Sequence, residues 1–223
     1  MPGSATQAKG PGAGLRDRKK AQTRQAIADA ARRLFLERGF EGVTVAEVAR
    51  EADVAEKTVF NYFPTKEDLF YSRLEAFEEE LLDAIRERES GQSVIAAFRE
   101  FVMKQRGALQ MDDRDQATGQ LRAISRVITE SPALLARELD VFARYSESLA
   151  ALIAAETRAG ADALEPRVVA NALIGVHRAL IDYVRQRTLA GDAAPDISRA
   201  LRTRARRAFA VLEQGLGDYA VKP

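Results

Sequence analysis

The chain has no cysteine and a single histidine, His177, in 223 residues. The missing cysteines exclude disulfides, thiolate nucleophiles and cysteine-ligated metals. The missing histidines exclude a multi-histidine metal centre, so neither a metal nor a cofactor is expected. No apolar run approaches the ~20 residues that a membrane-spanning helix needs. The stretch up to Lys20 lacks the hydrophobic segment of a secretion signal. No membrane partner is therefore expected, and the expected location is the cytoplasm. A dominant charge sign is missing too: 34 Lys and Arg face 33 Asp and Glu, a net charge of +1. Affinity for a polyanion would have to come from local charge rather than a global field.

What remains is a chain able to build a core, with 46% hydrophobic residues and 30% charged ones to cover it. Residues 1–17 are rich in Gly, Ala and polar side chains and read as a disordered arm. From Arg18 the pattern turns helical. Ile27, Ala30, Ala31, Leu34 and Phe35 recur at three- and four-residue spacing and make one apolar stripe. Gly39 fits a left-handed stop. From Lys9 to Arg38 nine bases face three acids, leaving +6. From Gly39 to Asp68 three bases face seven acids, leaving −4.

Thr44-Val45-Ala46-Glu47 is a capping box, with Val43 and Val48 placed as a hydrophobic staple. The second helix runs from Val45 to about Ala52. Asp53-Val54-Ala55 makes a turn with Val54 inward. A third helix spans Glu56 to Phe63, with Val59, Phe60 and Phe63 as its apolar side and Lys57, Thr58, Asn61 and Tyr62 facing out. Pro64 stops it. Thr65, with Asp68 three residues on, caps the next helix, which is expected to continue through Leu69, Phe70, Leu74, Phe77, Leu81 and Ile85.

Beyond Arg88 no strand pattern appears. Ser93 to Arg106 reads as helix, Gly107 to Gly119 as a polar loop and Leu121 to Thr129 as a short helix. Asp112, Asp113 and Asp115 lack the glycine and glutamate spacing of a calcium loop. Ser131-Pro132 opens a long helix with a stripe of Leu135, Leu139, Phe142, Leu149 and Ile153, closed by Gly160. Pro166 opens another, apolar on two sides, and Ile197 to about Leu216 forms the last.

These residues resemble the tetracycline-repressor (TetR) family of bacterial transcription regulators. The resemblance is carried by Ala26 to Phe40 and by Thr44, Val45, Val48, Ala49, Val54, Thr58, Val59, Tyr62, Phe63, Pro64, Lys66, Glu67, Leu69 and Phe70. The run Tyr62 to Phe70 is its most specific part. The specific motif covers about fifty residues, and the remainder matches in length, helicity and the Ser-Pro-Ala-Leu start at Ser131. Departures are Ala55 in place of a small polar cap, Glu56 in place of a basic or polar residue, and Lys57 in place of glycine.

The resemblance implies an all-α protein of nine or ten helices. A helix-turn-helix domain at 18–64 would read a palindromic double-stranded DNA operator as part of a homodimer. A C-terminal domain at 65–223 would hold the dimer interface and a pocket for a small apolar or amphipathic effector, whose binding releases DNA. Thr58, Tyr62 and Lys66, with Thr44 through its helix terminus, are assigned to the DNA backbone. Lys57 and Asn61 are the base-edge candidates, because lysine can donate to guanine and asparagine can bond adenine twice. Arg18, Lys19 and Lys20 are candidates for phosphate or minor-groove contact. The plainer alternatives are a solvated face for Lys57 and Asn61, packing on its own turn for Tyr62, and disorder for the basic arm.

Phe98, Val102, Ile124, Ile128, Phe142 and Tyr145 are pocket candidates, with ordinary core as the alternative. His177 lies on an apolar helix face as a core or interface residue or a ligand contact. No nucleophile-elbow pattern accompanies it, so no catalytic residue is assigned and no enzymatic activity is expected. Leu149, Ile153, Leu173, Val176 and Leu180, on the two long helices, are dimer-interface candidates. Two other functions compete: a helical small-molecule-binding protein or enzyme with a vestigial DNA-binding head, favoured only by the acidic balance of residues 39–68, and an adaptor using the third helix. The polar outward set of that helix disfavours the adaptor, since a partner groove wants apolar anchors.

Overall fold

The computed structural model describes residues 11–72, 74–104 and 114–216. These residues form ten helices: α1 (Pro11–Arg38), α2 (Val45–Glu51), α3 (Glu56–Tyr62), α4 (Lys66–Phe70), α5 (Leu74–Arg86), α6 (Val94–Lys104), α7 (Arg114–Glu130), α8 (Pro132–Thr157), α9 (Glu165–Leu189) and α10 (Ala194–Leu216). The architecture is all-α, as the periodicity implies. The chain divides into two compact units with the boundary after Ser72.

The first unit is built around α1. Ile27, Ala31 and Phe35 are fully buried, and Val48 of α2, Val59 of α3 and Leu69 of α4 are buried with them, each no more than 1% exposed. Phe35, Phe40 and Phe70 form a ring trio with centroids 5.1 to 6.5 Å apart. Truncating one such buried ring to alanine costs about 3–5 kcal/mol. Gly39 adopts φ +77° and donates its N–H to the Phe35 carbonyl at 2.9 Å, so α1 ends in the conformation glycine tolerates best. Asp53, φ +53°, makes the left-handed step between α2 and α3, and the next N–H, that of Val54, reaches the Ala49 carbonyl at 2.9 Å. A short polar side chain tolerates that step better than a branched one.

Four boundaries differ from the sequence pattern. The α1 helix begins at Pro11, inside the expected arm, whose residues 1–10 lie outside the described residues. The expected single helix after Thr65 is two: α4 ends at Phe70, and Tyr71 caps it with its N–H on the Glu67 carbonyl. Phe70 turns toward Phe35 and Phe40, which ties this short helix to the first unit. The polar loop is shorter than expected because α7 begins at Arg114, with Asp115 in its first turn; Asp112 and Asp113 lie outside the described residues. Helix α8 stops at Arg158, which adopts φ +51°, two residues before Gly160.

The second unit packs α5 to α10 around Phe98, Tyr145, Leu149, Ile153, Leu173 and Phe209, each no more than 1% exposed. The buried stripe of α8 is Leu134, Val141, Phe142, Tyr145, Leu149 and Ile153. Leu135 and Leu139, expected in that stripe, are 36% and 48% exposed, because Leu134 takes the inward position one residue earlier. Ion pairs pin the helices. Arg88, almost fully buried, donates to Glu156 at 2.7 Å and to the Ile85 carbonyl at 2.6 Å. Glu138 accepts from Arg185 at 2.5 Å, and Glu78 accepts from Arg144 and Ser148 at 2.8 and 2.7 Å. Among the described residues no helix is long and apolar enough to cross a membrane, and no acid or histidine cluster could hold a metal.

Candidate nucleic-acid interface

Two capping boxes fix the frame of the reading helix. Thr44 Oγ1 accepts from the Glu47 N–H at 3.2 Å, while the Glu47 carboxylate accepts from the Thr44 N–H at 2.8 Å and its hydroxyl at 2.9 Å. Arg38 joins the same carboxylate at 2.8 Å. The Thr44 backbone bond first, then Arg38, hold the Glu47 carboxyl down at about 2. Both donors of Thr44 are therefore engaged by Glu47, which fixes the N-terminal end of α2. Thr65 and Asp68 repeat the box at α4, with bonds of 3.1 and 3.2 Å.

Between these boxes α3 is held by Val59 and by Phe63 at its C-cap, 1% and 2% exposed. Lys57 and Asn61 are exposed, and neither has a hydrogen-bond or ion-pair partner among the described residues. At i and i+4 they share one face. Thr58 and Tyr62 are half-buried at the flank. Lys66 is held by aromatic faces: its Nζ lies 4.2 Å from the Phe40 ring centre and 5.9 Å from that of Phe35. Arg18, Lys19 and Lys20 lie on α1 with exposed side chains.

Phe60 corrects the sequence reading. Expected inside, it is 45% exposed. A two-turn helix that buries Val59 and Phe63 carries the residue after Val59 about 100° around its axis, away from the core. Phe60 thus stands on the outer surface beside Asn61, an apolar group among polar ones. Counting three aromatic or branched residues against two inward positions is the signal that would have found it.

The basic surplus of α1 is smaller in space than in sequence. Arg33 pairs with Glu51 and Arg38 with Glu47. Arg24 lies over the Phe63 ring at 4.8 Å and donates to the Ser72 carbonyl at 3.3 Å. Three of the nine bases counted from Lys9 to Arg38 therefore serve the unit's own structure.

In the second unit, Phe98, Val102, Ile128, Phe142 and Tyr145 are buried, while Ile124 and His177 are half-buried. Phe77 stacks on His177 with 5.0 Å between ring centres and 12° between planes. Phe98 and Phe142 stand edge-on to the same imidazole at 6.5 and 6.1 Å. His177 Nδ1 is buried and lacks a hydrogen-bond partner among the described residues. Such an orphan costs about 1–3 kcal/mol. Burial of the ring pushes the His177 pKa down to about 4, so it is neutral at physiological pH. A surface depression of about 340 Å³ lined by Ala84, Glu87, Arg88, Gln92, Glu100 and Lys104 contains none of the pocket candidates.

The dimer candidates also need correction. Leu149, Ile153 and Leu173 are fully buried and Leu180 nearly so, all within this unit's own core, against which Val176 also packs. These side chains hold α8 and α9 to one another rather than facing a second subunit. The outward apolar positions of the two long helices are instead Leu135 and Leu139 on α8, Val168 and Leu189 on α9, and Leu164 at the α9 N-cap.

A family model described as bacterial regulatory proteins, tetR family, matches residues 27–72, and one described as the MftR C-terminal domain matches residues 92–216. The HTH-type transcriptional regulator TcmR of Streptomyces glaucescens is 32% identical over 152 residues, which is 68% of this chain and 66%, just under two thirds, of that protein. Among solved structures, Salmonella enterica GusR superposes with a TM-score of 0.53 at 21% identity, over 88% of this chain and 96% of that one. NalD of Pseudomonas aeruginosa, the secondary repressor of the MexAB-OprM multidrug efflux pump, has a TM-score of 0.50 at 22% identity, over 84% of this chain and 97% of that one. The two structural likenesses speak to the fold.

Proposed function

The chain belongs to the tetR family of bacterial regulatory proteins, and we propose that it is a transcriptional repressor that binds a palindromic operator as a homodimer and leaves it when a small apolar or amphipathic effector binds. The observation that carries this reading is the outer face of α3. Lys57, Phe60 and Asn61 are exposed on a helix whose inward residues are fixed.

The division of labour follows from chemistry. Tyr62 and Thr58 at the flank and Lys66 at the start of α4 contact phosphates and set register. Lys57 and Asn61 read base edges. The Phe60 ring suits the methyl group of thymine, the one apolar feature of the major groove. Arg18, Lys19 and Lys20 supply sequence-independent attraction. Residues up to Ser72 act as the reading head. Those after it bind the effector and a second copy, for which Leu164 and Val168 offer an exposed apolar start. The protein works in the cytoplasm, where its operator lies, and the reading requires no catalytic step.

In vitro selection of bound duplexes tests the proposal. It expects a two-fold symmetric sequence with half-sites about 34–36 Å apart or a multiple of that, bound with an affinity that falls steeply with salt. A flat salt titration with no enriched sequence would overturn it.

A further inference from the structure

Resting on the effector reading above, we propose that the effector is an uncharged, planar, largely apolar molecule bearing a hydroxyl group, and that His177 is its polar anchor. The rings around His177 come from three other helices: Phe77 of α5, Phe98 of α6 and Phe142 of α8. They hold the imidazole by one ring face and two ring edges, so a group that reaches it comes among aromatic rings, which favour a flat apolar partner. Tyr145 extends the cluster, stacking on Phe77 at 5.5 Å.

Within this cluster the His177 Nδ1 is buried and unpartnered. Buried polar atoms are nearly always hydrogen-bonded, so an exception marks a place where a bound group would gain a hydrogen bond. A neutral imidazole has one donor and one acceptor nitrogen. A hydroxyl can donate or accept, so it satisfies Nδ1 in either tautomer. Burial is what lowers the affinity of this ring for a proton. A carboxylate effector would find no cation on this imidazole, and its desolvation would go uncompensated.

His177 is the chain's only histidine. Nitrogen NMR of the full chain labelled at histidine therefore reports this ring alone. The probes are β-naphthol, naphthalene and naphthoate. β-Naphthol is expected to move the Nδ1 resonance saturably, and to bind about tenfold tighter than naphthalene, the measure of one net hydrogen bond. Naphthoate is expected to bind more weakly than β-naphthol. In His177→Phe the preference for β-naphthol over naphthalene should disappear. Should that variant fail to fold, His177→Gln, which keeps a polar tip, and the wild-type resonance decide the matter.

Unmoved resonances, equal binding of β-naphthol and naphthalene by the wild type, preference for naphthoate, or a β-naphthol preference that survives His177→Phe would each overturn the proposal. Operator binding of the same wild-type sample, followed by fluorescence anisotropy, separates the two readings. Intact DNA binding with silent resonances overturns the hydroxyl anchor alone. Absent DNA binding overturns the repressor.

Discussion

Lys66 holds its ammonium 4.2 Å above the centre of the Phe40 ring. Phe40 is 3% exposed and packs on Phe35, so the lysine is positioned before any DNA arrives. A cation over a ring face is held by the ring quadrupole, worth about 0.5–1 kcal/mol at an exposed site. Lys66→Met should weaken binding to all duplexes alike and reduce the salt slope by about 1, as expected for one lost phosphate contact. Anisotropy titrations at several salt concentrations would show it. A change in sequence preference would place Lys66 on a base instead.

Base reading is expected from Asn61, which is exposed and unpartnered among the described residues. Asn61→Ala should cost about 1–3 kcal/mol at one operator position and relax discrimination there, leaving other positions intact. Binding profiles against single-base operator variants make the comparison. Uniform weakening would mean that Asn61 only touches the backbone.

Phe60, 45% exposed, separates stability from recognition. Phe60→Ala removes a ring that contributes little to the core, so the unfolding midpoint should stay within the range of surface substitutions, about 0.5 kcal/mol. Operator affinity should nevertheless fall. A large stability loss with unchanged DNA binding would assign the ring to packing.

The box at Thr44 predicts a response to acid. With its carboxyl held at about 2, Glu47 takes up its proton less readily when folded than when unfolded. Its stabilising contribution is therefore present above pH 4.5, the ordinary value, and is lost as pH falls through about 2. Thr44→Ala should remove about 1 kcal/mol at neutral pH and raise the Glu47 pKa toward the ordinary value, measurable by carbon NMR of the carboxyl.

His177 acts in a higher window. The unfolded chain takes up its proton near pH 6.5, the folded one only near 4. Between those values the unfolded state binds more protons, so stability falls as pH drops from 6.5 and levels off below 4. The loss amounts to about 3 kcal/mol in total. Urea midpoints of wild type and His177→Phe across that range should diverge if the imidazole stays buried. Parallel curves would show it in water.

The elements most legible in sequence were those where one local rule acts without competition. Thr44 with Glu47 and Thr65 with Asp68 form the boxes their spacing implies, and Gly39 takes the left-handed step its position suggests. Legibility failed where periodicity offered more apolar residues than the core had room for. Phe60, Leu135 and Leu139 fit a helical stripe, but Val59 and Leu134, each one position nearer the core, take the inward places. The same ambiguity misplaced the dimer candidates. Leu149, Ile153 and Leu173 have the pattern of an interface and the location of a core, and spacing alone carries no record of which neighbour a stripe faces. The end of α4 was hidden because Phe70 fits both a continuing helix and the ring trio with Phe35 and Phe40.

The pairing of Arg33 with Glu51 and of Arg38 with Glu47 has a consequence at the scale of a genome. Two guanidinium groups that would otherwise cling to any stretch of chromosome already have their counter-ions within the molecule. Random sequence, which offers only phosphates and outnumbers the operator by about a million or more sites, is held less firmly by such a head than by a purely cationic one. Under the DNA-binding role proposed above, fewer copies would then be held away from the operator.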